Sequence, residues 1–250
     1  VRARGYSMNP NPLSRRYSMS QLHITWYGHA NVMLSENGVS VLIDPFFEGN
    51  PLAPDWREIP RPDIVAVTHD HGDHMGQAVE IVRTTGAKLF CIADLTDWFR
   101  ERGVPSGQII NYGMGGNVDG TLEEKGVKIT MNQAFHSAAM GSPVGYVVEM
   151  PGGHTVYHAG DTGLFGDMAL IADRFHLDLA LLPAGGVFTM DGELAAKAAA
   201  LLKAPVAMPI HYKTFPVLAQ NADAFVEALK RHAPDCRPLV MEPGEMVVLD

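Results

Sequence analysis

The chain reads as an α/β protein whose two halves stack sheet to sheet into a four-layer αββα sandwich. Two observations predict it. Each half passes from a meander of short strands into alternating strands and helices, the order that covers a sheet with helices. The residues able to do chemistry also follow directly on apolar, β-branched runs. First among them is Thr68-His69-Asp70-His71-Gly72-Asp73-His74, behind Ile64-Val65-Ala66-Val67. That places them at strand carboxyl ends, where open α/β sheets bind ligands.

Residues 1–20 stand apart. They carry Arg2, Arg4, Arg15 and Arg16, no acid, and several Ser, Asn and Pro, which predicts a flexible N-terminal extension before a single domain over 21–250. His23 to Tyr27 and Asn31 to Ser35 alternate, Glu36-Asn37-Gly38 turns the chain, and Val39 to Ile43 completes an antiparallel meander ending in Asp44-Pro45-Phe46. Glu48 to Arg61, interrupted by Pro51, Pro54 and Pro60, is expected as a surface loop beside the site, with Trp56 lining a pocket. Past the histidine cluster come a helix (Met75 to Thr85), a strand (Ala87 to Ile92) and a helix (Asp94 to Arg102).

Gly113 to Gly120 is rich in glycine but lacks the Gly-Lys-Ser/Thr ending of a phosphate loop, so it reads as a turn. Strands follow at Val127 to Phe135, Gly145 to Met150 and Thr155 to His158. Phe165 to Arg174 is helical, Leu179 to Leu182 a strand, Asp191 to Lys203 an alanine-rich helix, and Val206 to Ile210 a strand ending in His211. A helix over Ala222 to His232 and a last strand pair, Leu239 to Met241 with Met246 to Leu249, complete the pattern.

Within the cluster, three imidazoles and two carboxylates occupy six positions. Neutral imidazoles and ionised carboxylates are the ligands that borderline divalent metals accept. Three more candidates each follow a predicted strand: His136, Asp161 and His211. Loops at one sheet edge would collect them all. Two ions would then be held by His69, His71 and His136 on one side and by Asp73, His74 and His211 on the other, with Asp161 bridging. Asp70 alternates with the histidines and should point away from the ions.

Thr68 to His74, His136, Gly160-Asp161 and His211 resemble the ligand motifs of the metallo-β-lactamase superfamily, in the same order along the chain. More narrowly, Gly28-His29-Ala30, Leu42-Ile43-Asp44-Pro45, Tyr157 to Gly163 and Pro209 to Pro216 are similar to a bacterial and archaeal family of uncharacterised metal-dependent hydrolases. That family is related to ascorbate-phosphate lactonase and to the phospholipase D acting on N-acyl phosphatidylethanolamine. The resemblance implies the metallo-β-lactamase form of the sandwich and two divalent ions, zinc first, with manganese, nickel or iron as alternatives. It implies hydrolysis of a small ester, lactone or phosphodiester by a metal-bridged hydroxide, with Asp73 as the catalytic residue that accepts a proton or holds the hydroxide in place. Asp44 matches an acid that orients a ligand histidine through its other nitrogen. His29 faces the pocket or sits satisfied in the core, and His158 lies near the metals or packs. Tyr212 and Lys213 beside His211 are candidates to hold an anionic leaving group.

Composition narrows the function further. A net charge of −9 argues against nucleic acid as a partner and against a nuclease. With only Cys91 and Cys236 there is neither a disulfide framework nor a cysteine zinc site, which fits a reduced, cytoplasmic protein. No apolar run approaches the roughly 18 residues of a membrane span. The expected partner is a small-molecule substrate, and a homo-oligomer is compatible with the sequence. The alternative, from another class, is a non-catalytic metal-binding or sensor protein on the same fold.

Overall fold

The computed structural model describes residues 20–250; apart from Ser20, the predicted N-terminal extension lies outside the described residues. In the first half, β1 (Leu22–Trp26), β2 (Val32–Glu36) and β3 (Val39–Ile43) form the expected meander, and β4 (Ile64–Ala66) and β5 (Lys88–Phe90) extend it in parallel. The helices α1 (Gly72–Met75), α2 (Ala78–Thr85) and α3 (Thr96–Glu101) belong to this half. In the second half, β6 (Thr121–Glu124), β7 (Val127–Gln133), β8 (Val144–Glu149) and β9 (Thr155–His158) are antiparallel neighbours. Parallel strands β10 (Leu179–Pro183), β11 (Val206–Ile210) and β12 (Arg237–Pro238) continue the sheet. Helices α4 (Met168–Arg174), α5 (Gly192–Leu202) and α6 (Asp223–His232) follow their strands, and β13 (Met246–Leu249) ends the chain.

The two sheets, ordered β13-β1-β2-β3-β4-β5 and β12-β11-β10-β9-β8-β7-β6, enclose the main core. Side chains from both inner faces meet there, among them Trp26, Leu34, Ile64, Phe90, Tyr146 and Met208, all buried. A second core lies between the outer face of the larger sheet and its helices, where the alanines of α5 let α6 approach closely. This is the four-layer αββα sandwich.

Three details depart from the sequence-based expectation. The helix expected over Met75 to Thr85 is broken at Gly76, which has φ 39°. A Cβ there would sit 2.2 Å from the Pro45 carbonyl oxygen, so only glycine lets the chain pass the end of β3. Gln77 then locks the crossing, its N–H donating to Pro45 O and its side-chain oxygen accepting from the N–H groups of Phe47 and Glu48. Secondly, β6 was not expected; it is a short, half-exposed edge strand carrying Glu123 and Glu124, features that suit an edge and weaken the strand signal. Thirdly, the C-terminal strands do not pair with each other. The segment Arg237–Pro238 joins β11, while β13 crosses to the other sheet beside β1.

The loop over Glu48 to Arg61 turns away from the histidines. Trp56 lines a cavity of about 360 Å³ with Arg57, Arg61, Ile81 and Thr84, and none of the candidate ligands borders it.

Candidate metal centre

The strands β1, β3, β4, β7, β9 and β11 deliver their carboxyl-terminal connections to one edge of the sandwich; five predicted donors lie on these loops, and Asp73 and His74 lie on α1, directly after the β4 loop. His69 Nε2 and His71 Nδ1 stand 3.0 Å apart, and His136 lies within reach of both. One carboxylate oxygen of Asp161, Oδ2, lies 3.2 Å from His74 Nε2, 3.1 Å from His211 Nε2 and 3.5 Å from His136 Nε2. Asp73 groups with His74, His211 and His29. The loops are tied by backbone contacts between the sheets: Val144 N–H donates to Thr68 O, and His211 N–H to His29 O. Gly160, at φ 60°, lets the chain before Asp161 pass Val144, whose carbonyl oxygen would be 2.7 Å from a Cβ.

Asp44 organises the inner side. Its Oδ1 accepts from Thr68 N–H and its Oδ2 from Thr68 Oγ1, each at 2.8 Å. His74 Nδ1–H donates to Oδ2 at 2.7 Å. A hydroxyl has one proton. Because that of Thr68 goes to Asp44, the 3.0 Å contact between Thr68 Oγ1 and His69 Nδ1 requires the ring to donate. One buried acid therefore fixes two tautomers, leaving the Nε2 lone pairs of His69 and His74 free. His29, Asp44 and His211 all adopt positive φ, 56°, 49° and 57°, the kind of backbone strain that concentrates at functional sites.

The electrostatics match the ligand form of these groups. Burial pushes His69 down to about 3 and His29 down to about 4, and lowers His136 as well, so these rings are neutral. Burial alone would raise Asp161 and Asp73. His74 and His211 beside the first, and His29 and His74 beside the second, hold both below the usual carboxylate range. His74 goes the other way: against its burial, the carboxylates of Asp161 and Asp44 raise it. The negative charge gathered on both sides of this ring is what a bound cation would neutralise.

Donors held about 2.0–2.1 Å from one tetrahedral ion lie about 3.3 Å from each other, close to the separations around Asp161. Three buried polar atoms at the site, His74 Nε2, Asp161 Oδ1 and His211 Nδ1, have no hydrogen-bond partner. Orphaned buried polar atoms are costly unless something binds them. The residues present fit divalent metal.

The description "beta-lactamase superfamily domain" belongs to a family model that matches residues 40–212. A UPF0173 metal-dependent hydrolase of Nitratidesulfovibrio vulgaris is 54% identical over 231 residues, covering 92% of this chain and 96% of that protein. The chain belongs to the metallo-β-lactamase superfamily. A relative of the same name in Methanosarcina mazei is 40% identical over 92% of this chain and its own whole length. Among solved structures, Igni18, described as a metallo hydrolase from Ignicoccus hospitalis, superimposes with a TM-score of 0.83 at 36% identity, over 92% of this chain and 99% of its own.

All seven predicted donors converge at the edge of this metallo-β-lactamase sandwich. Of the three supporting residues, Asp44 holds His74 as expected. His29 is buried and faces the site, its Nε2–H donating to Asp73 Oδ2 at 3.2 Å while Nδ1 meets Thr214 Oγ1. His158 is a core residue: Nε2–H donates to Ala30 O across the sheets, and Nδ1 accepts from Gly160 N–H. Asp70 points away from the donors and accepts from Ala139 and Met140 N–H, strapping the loop that carries His136. Tyr212 and Lys213 do not reach the site. The tyrosine is buried and stacks on Trp26 with ring centres 5.2 Å apart, and the Lys213 ammonium donates to Glu242. Sequence reading gave no role to Thr68, Thr214, Ser137 or Phe188. Single residues of common types in loops carry no periodic signal.

Proposed function

We propose that this protein is a dinuclear metal-dependent hydrolase acting on a small ester, lactone or phosphodiester. His69, His71 and His136 would hold one ion, Asp73, His74 and His211 the other, and Asp161 both. The observation that carries this reading is Asp161 Oδ2 within 3.5 Å of three imidazole nitrogens from three separate segments of the chain, with buried donor atoms left over beside it. When bound, two such ions, zinc or its near alternatives, supply a water that ionises near neutral pH and positive charge to polarise the scissile oxygen. The chain's own residues do the rest. Asp44 and Thr68 fix His69 and His74 in the ligand tautomer. Asp73, ionised and partly open to the cavity, accepts a proton from the attacking water, and His29 orients that carboxylate from behind.

The test is elemental analysis of the purified protein followed by assay of bis-p-nitrophenyl phosphate, simple lactones and aryl esters, with and without chelator. The expected result is two ions per chain and a turnover that chelator abolishes and added metal restores. Full metal occupancy with no turnover of any class would point instead to a metal-binding sensor.

A further inference from the structure

The cavity above the donors, about 260 Å³, is lined by five of the proposed ligands together with Ser137 and Phe188. Among the described residues that line it there is no lysine or arginine. The nearest basic residue in sequence to a ligand, Lys213, is engaged with Glu242, and the chain as a whole is acidic, so no cationic side chain in this lining steers an anion inward.

Three of the five segments that supply the lining also carry exposed apolar side chains: Phe135 before His136, Val187 beside Phe188, and Val217 past His211. Phe188 itself is 56% exposed. The turn presenting it is built tightly, Gly186 N–H donating to Met190 O and Phe188 N–H to Gly186 O. Val187 sits in it at φ 60°, a costly conformation for a β-branched residue. This strained turn fixes Phe188 in the lining of a polar site, where its exposed ring offers an apolar surface to whatever enters.

We propose that this pocket selects uncharged substrates, esters or lactones whose group flanking the scissile carbonyl is apolar, and discriminates against those carrying a second anionic group. Phe188 is the residue that sets the preference. The inference rests on the hydrolase reading above. In the reaction, water oxygen bonds to the acyl carbon, the acyl carbon–oxygen bond breaks, and the leaving oxygen takes up a proton from that water. The proposal concerns only what lies beyond that carbonyl.

The experiment compares p-nitrophenyl pentanoate with mono-p-nitrophenyl glutarate, which replaces the terminal methyl by a carboxylate, on the metal-loaded protein. In parallel, calorimetry compares binding of the matching pair of hydroxamates, which report on the pocket without turnover. The neutral member should be favoured at least about tenfold in kcat/KM and in affinity, the cost of placing a carboxylate in a pocket with no cation for it. Phe188→Ala should shrink the preference and Phe188→Lys reverse it. Equal or reversed preference in the wild-type protein, by either readout, overturns the inference, as does failure of both hydroxamates to bind. A neutral-over-charged preference in hydroxamate binding, with neither ester hydrolysed, supports the pocket assignment while sinking the hydrolase reading.

Discussion

A single buried carboxylate, Asp44, sets the protonation pattern of two proposed ligands, and this gives the most direct tests at the level of one residue. Asp44→Asn keeps the shape but cannot accept from Thr68 and His74 as an anion does. Metal affinity, measured by competition with a chromogenic chelator, should fall by about 10- to 100-fold while the fold is retained. Asp161→Ala removes the oxygen shared by His74, His136 and His211. It should leave at most one ion per chain by elemental analysis and lower turnover by more than about a hundredfold. Two ions retained in that variant would refute the bridging assignment. These residues were legible in the sequence because their identity is their signal: imidazoles and acids clustered behind apolar strands cost too much to bury unless they bind something. Thr68 and Thr214 were not, since a threonine's role depends on where its one proton points.

Between elements, the connections carry as much information as the strands. The crossing of α1 and α2 beneath the end of β3 depends on Gly76. Gly76→Ala should destabilise the protein by about 2 kcal/mol or more in urea unfolding. Gly86→Ala, where φ is 80° but nothing lies within 4 Å of a new Cβ, isolates the conformational cost at about 1 kcal/mol. If the two variants cost the same, the clash with Pro45 is not what breaks the helix. The pattern from Met75 to Thr85 is amphipathic throughout, so no local reading finds that break; the obstacle is a carbonyl oxygen 31 residues away in sequence. The strap from Asp70 to Ala139 and Met140 is of the same kind. Here the alternation in His69-Asp70-His71 predicted the direction of the side chain but not its partner.

Across the whole molecule, the two sheets are joined by polar contacts inside an otherwise apolar core, notably the Tyr146 hydroxyl donating to Val67 O at 2.6 Å. Tyr146→Phe leaves that buried carbonyl unpaired and should cost about 1–3 kcal/mol. The buried histidines also set the pH response of the metal-free protein. Burial lowers His29, His69, His136 and His158 below the ordinary value of 6.5, so the unfolded chain binds more protons at these sites than the folded one. Their contribution is flat above neutral pH and turns against the fold as pH drops from about 6.5 toward 4. His74 has the opposite sign, but its stabilisation is already complete below 6.5 and adds no further slope. Melting temperature of the chelator-treated protein should therefore decline through that window. Metal binding should weaken over the same range, because protons compete for the same imidazole nitrogens.

The sequence by itself determined the layered α/β architecture, the order of the donors and their place at strand ends, because hydrophobic periodicity and residue chemistry are local properties. Tertiary structure alone decided which strands β12 and β13 join, that His158 is a core residue while His29 faces the site, and that Lys213 is bound to Glu242 instead of lining the pocket. Each of these turns on which distant segment lies within hydrogen-bond distance of a side chain. That distance is set by how two sheets pack, and no window along the chain contains it.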